Sequence, residues 1–559
     1  MPNKNSQAGT INDSDSSVKN SGGGFAKKLS RAFVQYKLPI LSGVFIGTSY
    51  IPFPPWAIFF CLVPLILFWR KPETTLKQAL FGGWLTQFIL NLIGFYWIAY
   101  TAVEFGHFPW WAGVLVLLGF AATAHLYYPL GGFLGMWATR KFGLKTGASF
   151  FVIAFAFALC DLYVPKIFPW HFGYPWMWAK FPGAQFGDVI GFEGLNVLTI
   201  FVNTLLAWSI SVAGGLKKIR LSPLATKLAA AAVVLALLPN ILGFGRAAPW
   251  ARTDAELSFL GVQANIGNFE KLQAERGGSF GVPVVEKFTN LTRKALEANP
   301  TAQIVVWPET AMPTYLDNEA AMTMLGRRIF DFAREIKLPL ITGAYSVDAG
   351  TPRAYNAFFV VDENGRVPVS PYRKSILLAF GETFPFSEYI PYMEKLFPNQ
   401  GSYTRGPGPT VKSVAVAGRQ VQIGPQICYE GLYPWFTAAL AEQGAQVILN
   451  VTNDSWYGKS FERYQHLYMT LARAIEFRRP LVRITNTGIS TAVLATGEVL
   501  EHSPMEVEWT GLFRIPYITD APHTPYEKYG WLWPWALALG LVLLLGFGRE
   551  KDTREPPRP

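Results

Sequence analysis

A succession of long apolar runs constrains this chain more than any other feature. They lie near residues 38–53, 56–69, 79–100, 111–137, 147–165, 192–215 and 227–244, and one more closes the chain near 530–548. A helix needs about 20 predominantly apolar residues to cross a bilayer, and most of these runs reach that length. The second run is shorter and abuts Pro54-Pro55, so the first pair reads as a tight hairpin. Only 16% of the 559 residues are charged. The pattern predicts about seven crossings, a large polar block, and an eighth crossing.

The net charge of +11 raises the question of nucleic acid, but its distribution gives a different answer. With the N-terminal tail on the cytoplasmic side, the inside segments are 1–37, 70–77, 139–145, 217–227 and 549–559. Together they hold about 20 Lys and Arg against about 6 Asp and Glu. The outside loop 101–110 has no Lys or Arg. The basic balance is therefore a topology signal, and no nucleic-acid partner is expected. The expected organisation is a disordered cytoplasmic tail over 1–30, rich in Ser, Asn and Gly, followed by a multi-pass helical membrane domain over 31–245. A polar domain on the periplasmic side follows over 246–525, then a C-terminal transmembrane helix over 528–548 and a cytoplasmic tail over 549–559. The protein is expected to be a monomer of the inner membrane.

The polar block alternates strand-like and helix-like segments. Strands are expected in "LSFLGVQANI", "AQIVVWPET", "LPLITGAYS", "AYNAFFVVD", "QVQIGPQICYE", "AQVILNVTND", "LVRITNTGISTAVLA" and "GLFRIPYI". Helical patterns intervene near 283–297, 319–336, 431–443 and 461–478, and "DENG" at 362–365 signals a turn. Apolar strands alternating with helices imply sheets covered by helices. No HExxH, Walker loop or GxSxG elbow is present, so no metal or cofactor site is expected.

Of three cysteines, Cys61 and Cys160 sit in apolar runs as small filler, and no spacing suggests a disulfide framework. Cys428 differs, because it ends "IGPQICYE" in the polar block. Alone, it reads as core filler at a strand end before it reads as a nucleophile. Glu309 ends "VVWPET" and Lys374 lies in "YRKSILLAFGETFPF". A carboxylate, an ammonium and a thiol at the ends of neighbouring strands make a chemically coherent set. The carboxylate can take the thiol proton. The ammonium favours thiolate and can donate to a developing oxyanion. The backbone N–H of Tyr429 is a second candidate donor to that oxyanion.

The ordered set "WPET", "YRK" and "ICYE" resembles the nitrilase (carbon–nitrogen hydrolase) superfamily. The flanking membrane segments narrow the likeness to the apolipoprotein N-acyltransferase family. Supporting motifs are "VQANI" (262–266), "FGETFP" (380–385), "NDSWYG" (453–458), Gln465-His466 and "RITNTG" (483–488). Two positions depart from the family pattern: Leu272 follows Lys271 where the family carries Trp, and Leu378-Ala379 precede Phe380.

The resemblance implies a four-layer αββα sandwich beside the membrane helices. It implies Glu309 as general base, Lys374 as oxyanion partner and Cys428 as nucleophile. It also implies Glu382 as a second acid, with Tyr429 and Glu430 in the functional motif. Trp456, Asn453 and Phe380 are implied at the substrate pocket, and segment 376–400 fits an interfacial lid. The implied reaction transfers an acyl chain from a phospholipid, phosphatidylethanolamine by resemblance, to the α-amine of a diacylglyceryl apolipoprotein through a Cys428 thioester. A membrane-anchored amidase with the same triad, and a transporter or receptor with an outer binding domain, stay open as alternatives. The eight-segment platform argues against the first, and the scarcity of central membrane charges against the second. Trp170, Trp176 and Trp178 fit either an interfacial belt or braces for the outer domain.

Overall fold

The computed structural model describes residues 21–104, 106, 108–216, 220, 222–267, 281–317, 324–348, 354–379, 381–383 and 403–549. Among them, five helices are long and apolar enough to cross a membrane: Trp110–Lys141, Thr146–Tyr163, Pro182–Val212, Pro223–Ala251 and Pro525–Phe547. A sixth span counts if Leu76–Gly94 and Trp97–Glu104 are taken together across their 61° bend. The first apolar run continues the helix Ser21–Gly47, and the second contributes only the eight-residue helix Val63–Arg70. That helix is about 12 Å long, too short to cross alone. Pro52, Pro54 and Pro55 interrupt this stretch, because proline lacks the amide N–H a helix interior needs.

The polar block folds into two mixed sheets face to face. Its strands are β1 (Ala255–Gln263), β2 (Ile304–Val306), β3 (Leu340–Ser346), β4 (Tyr355–Val361), β5 (Tyr372–Arg373), β6 (Lys412–Val416), β7 (Arg419–Ile427), β8 (Val447–Thr452), β9 (Leu481–Thr485), β10 (Thr491–Val493) and β11 (Trp509–Tyr517). One sheet runs β11-β1-β2-β3-β4-β5 and the other β10-β9-β8-β7-β6. Alternation along each strand builds the layers. On β2, Ile304 and Val306 enter the core between the sheets, while Val305 and the following Trp307 face an outer helix layer. That layer is Gly281–Ala298 and Met324–Ile336, contributing Phe288, Ile329 and Phe332. The other sheet is covered by Pro434–Glu442 and Glu462–Phe477. The expected αββα architecture is therefore observed.

Every expected strand is present. The expected "LVRITNTGISTAVLA" strand is two, β9 and β10, paired antiparallel. Sequence reading missed β5 and β6. β5 has only two residues, and β6 joins β7 through Ala417-Gly418, both with left-handed φ (48° and 78°). Such a two-residue turn matches the twist of a hairpin. "DENG" does form a turn, in which the Asp362 carboxylate accepts the Asn364 and Arg366 N–H groups (3.0 and 2.8 Å).

The helix Glu462–Phe477 is buried along its length except at Tyr464, because it is sandwiched between its sheet and the membrane part. Phe192 N–H donates to Glu476 Oε1 (2.9 Å), and Arg478 pairs with Asp188 (2.7 Å). Trp178 meets the Tyr468 ring edge-on at 4.7 Å, and Trp170 and Trp176 are buried. Trp178 thus fits the brace reading, whereas Trp170 and Trp176 pack within the membrane part against Tyr50, Phe95, Phe59 and Phe181. A single apolar cluster runs from the membrane helices through Trp97 and Phe168 into the sandwich.

Candidate active site

Glu309 stands two residues beyond Trp307, whose buried ring stacks on Phe332 and whose Nε1 donates to Thr292 Oγ1 (3.0 Å). This anchor fixes where β2 ends. The turn after it lies against β3 at Gly343, where an added Cβ would come within 2.3 Å of Thr310 N. Only glycine permits that approach. The Glu309 carboxylate is held from three directions. Its Oε1 accepts from Lys374 Nζ (3.0 Å) and Asn356 Nδ2 (2.8 Å), and its Oε2 from the Asn453 N–H (2.9 Å).

Lys374 follows β5 and is buried. Its Nζ bridges Glu309 Oε1 and Glu382 Oε1 (2.8 Å). Glu382 also accepts from Asn356 Nδ2 (3.1 Å) and the Leu378 N–H (2.9 Å). Burial alone would lower the Lys374 pKa, but the two carboxylates outweigh it and hold it well above the ordinary lysine value. Lys374 is therefore an ammonium at every physiological pH.

Cys428 closes β7 and opens a short 3-10 turn, Cys428–Leu432, with φ at 51°. A left-handed φ on a non-glycine residue costs about 1–3 kcal/mol and persists only where its surroundings impose it. Burial and then the Glu309 charge push its thiol well above the ordinary value, with Lys374 opposing. The resting group is the thiol, so a base has to remove its proton. We expect the rate of Cys428 alkylation by iodoacetamide to climb with pH and show no plateau below about pH 9. A plateau near neutrality would show a preformed thiolate and remove the need for a base.

Glu430 answers to a positional role. Its Oε2 accepts the Ile427 N–H (2.8 Å), beside the nucleophile. Its Oε1 accepts Tyr372 OH (2.5 Å) and the N–H groups of Ser375 (2.7 Å) and Ile376 (3.2 Å), flanking Lys374. One buried carboxylate thus ties the lysine loop to the cysteine turn. Glu430→Gln would set an amide N–H₂ against a donor on one side. It should cost about 1–3 kcal/mol, measured by unfolding in detergent. Unchanged unfolding would mean the tie is elsewhere.

Tyr429 turns its ring to the membrane part, edge-on to Phe168 at 5.7 Å. Asn453 follows β8, which pairs with β7. Its Oδ1 accepts from Asn486 Nδ2 (3.0 Å), and Asn486 is itself fixed by the backbone of Ile266 (2.9 and 2.8 Å). The motifs "VQANI", "NDSWYG" and "RITNTG" therefore converge behind Glu309. Trp456 is half-buried in the short turn Asp454–Tyr457. Phe380, Leu272 and most of the expected lid lie outside the described residues.

Behind the cysteine turn, Asp454, Glu462 and His466 bring potential ligand atoms within 4.8 Å of one another. Arg483 Nη2 already lies 2.9 Å from Asp454 Oδ2 and 3.2 Å from His466 Nδ1. A fixed guanidinium takes the place a metal ion would need. Burial opposes ionisation of Asp454, but Arg483 and His466 hold its carboxyl well below the usual range. Burial and then Arg483 keep His466 neutral by lowering its pKa. Sequence reading missed this cluster, and it missed Asn356. The available signal for Asn356 was a lone amide inside the apolar strand "AYNAFFVV".

A buried thiol, carboxylate and ammonium thus stand at strand ends of a two-sheet αββα sandwich. Residues 274–510 match the carbon–nitrogen hydrolase family, and residues 42–205 match the apolipoprotein N-acyltransferase N-terminal domain. The apolipoprotein N-acyltransferase of Bdellovibrio bacteriovorus is 46% identical over 507 residues, covering 89% of this chain and 91% of that protein. That of Geobacter metallireducens is 28% identical over 528 residues, covering 92% and 96%. The crystal structure of Saccharomyces cerevisiae Nit3, of the nitrilase superfamily, is similar at a TM-score of 0.36 and 15% identity, covering 47% of this chain and 91% of that one. This chain belongs to the apolipoprotein N-acyltransferase family, within the carbon–nitrogen hydrolase superfamily. It is a membrane protein and an enzyme of that family.

Proposed function

We propose that Cys428, Glu309 and Lys374 carry a two-step acyl transfer between two membrane-anchored substrates. In the first step Glu309 takes the Cys428 proton and the sulfur attacks the carbonyl carbon of a phospholipid ester, sn-1 of phosphatidylethanolamine. Lys374 and the Tyr429 N–H stabilise the oxyanion. The C–O bond breaks, Glu309 returns the proton to the leaving oxygen, and a lysophospholipid departs from the thioester. In the second step the α-amine of a diacylglyceryl-cysteine apolipoprotein attacks the thioester. Glu309 accepts the amine proton, the C–S bond breaks, and the proton returns to sulfur. Glu382 holds Lys374 in place, and Asn453 holds Glu309.

The observation that carries this reading is the contact of Tyr429 with Phe168. The residue beside the nucleophile rests on the membrane part, where a lipid ester arrives and a soluble amide has no reason to. The reading also places the catalytic domain in the periplasm of a bacterial inner membrane. Three of the basic segments meet at one end: Arg140 donates to the Thr74 carbonyl, and Lys145 N–H to Gly548 O (2.9 Å), next to Arg549. The contacts to the sandwich, at Ile51, Gly94, Trp97 and Phe168, come from other segments. Positive segments favour the cytoplasmic side.

The test uses the full chain with a phospholipid labelled in its acyl chain and a diacylglyceryl-cysteine peptide. The expected result is label on the protein before peptide is added and on the peptide after, with ping-pong kinetics. Turnover of small amides without labelled protein would favour the amidase reading.

A further inference from the structure

The Gln465-His466 pair has no part in the proposed chemistry, yet Gln465 is buried where the two parts of the molecule meet. Its Nε2 donates to Ile51 O (3.0 Å) and Gly94 O (2.9 Å), and its Oε1 accepts from Trp97 Nε1 (3.2 Å). Two carbonyl acceptors and one indole donor fix which end of the amide is nitrogen. Gly94 closes the helix Leu76–Gly94, and Trp97 opens the next helix after the 61° bend. Carbonyls at a helix end have no partner one turn on. The catalytic domain supplies that partner at this break.

Trp97 is buried among three rings, one of them Phe95 at 6.0 Å. Edge-on, it meets Phe168 at 5.2 Å and Tyr457 at 5.4 Å. Phe168 in turn meets Tyr429, beside the nucleophile. Tyr457 ends the turn that begins after Asn453, whose N–H holds Glu309. The orientation of one indole therefore bears on both sides of the site. His466, the next residue, contacts Asp454 at 3.2 Å in that same turn.

We propose that Gln465 is a positioning residue that registers the bent membrane helix against the nucleophile: by holding Gly94, Ile51 and Trp97 together it fixes the wall shared by the Cys428 and Glu309 turns, so the site is aligned for lipid only when the membrane part is docked. The kinetic part of this inference rests on Cys428 being the nucleophile; the docking part does not.

Gln465→Glu tests it, since glutamate keeps the shape but cannot donate to the two carbonyls. In the full-length protein in lipid nanodiscs, amide hydrogen exchange over residues 91–104 should rise tenfold or more. Acylation of Cys428 by nanodisc phosphatidylethanolamine should slow tenfold or more, while its alkylation by iodoacetamide stays within twofold. A folding loss would instead expose the buried thiol and speed alkylation by more than twofold while acylation falls. Unchanged exchange at the bend, unchanged acylation, or an alkylation rate altered more than twofold overturns the proposal. If Gln465→Glu does not fold, Trp97→Phe, which removes the indole N–H together with the five-membered ring that carries it, is judged by the same criteria. If wild-type Cys428 takes no acyl chain, the nucleophile reading fails and the exchange result alone decides.

Discussion

Cys428→Ser is expected to leave no acyl-enzyme after incubation with phospholipid, with transfer at least about a thousandfold slower. The replacement is nearly isosteric at a buried position, so the fold should survive and the effect should be chemical. A hydroxyl is far harder to deprotonate than a thiol, while the base is the same Glu309 carboxylate, held by Lys374, Asn356 and Asn453, in both proteins. An oxygen ester would also be a poorer acyl donor to an amine than a thioester. Intact-mass analysis reads the result directly: one acyl chain on the wild type and none on the variant. An acylated Cys428→Ser protein would move the nucleophile elsewhere.

Lys374→Met is expected to lose both stability and chemistry. The ammonium lies between Glu309 and Glu382, at 3.0 and 2.8 Å, with Lys374 and Glu309 buried and Glu382 partly exposed. Removing the cation leaves two carboxylates facing each other with Asn356 Nδ2 as their shared donor. Breaking a buried pair in this way costs about 3–5 kcal/mol. Loss of one oxyanion donor costs a further hundredfold to thousandfold in acylation rate, roughly. Thermal unfolding in detergent and the rate of acyl-enzyme formation measure the two effects separately. Lys374→Arg should not rescue either, since a planar fork cannot replace a point charge between two converging oxygens. The pH dependence follows from the raised lysine pKa. The stabilisation by this ion triplet is fully present below the unfolded lysine value and is lost only as pH rises through the higher folded value. A Lys374→Met protein as stable and as active as wild type would remove the lysine from the site.

Much of the site was legible because its groups sit in short, unusual strings. A strand that runs into "WPE" or "ICYE" sets a polar group at a sheet edge, and strand period alone predicts which neighbours point to the core. Other parts were not legible. β5 is too short to show a period, and β6 hides behind an Ala-Gly turn that lacks the usual asparagine. Asn356 looks like a misplaced polar residue until Glu309 and Glu382 are seen at either side of its amide. The count of crossings was set by run length, but Val63–Arg70 is only eight residues of helix, because the prolines before it spoil what hydropathy alone counts as a span.

The membrane runs, the alternating strands and the three chemically coherent groups are readable in the chain, because those depend on composition and local period. Which groups meet, and in what protonation state, is settled by packing. Lys374 and Glu309 are 65 residues apart, Asn453 and Glu309 are 144 apart, and Gln465 and Trp97 are 368 apart. No local pattern encodes such a meeting. The raised thiol of Cys428 and the clamped ammonium of Lys374 follow from burial together with those distant partners, and both are properties of the packed interior.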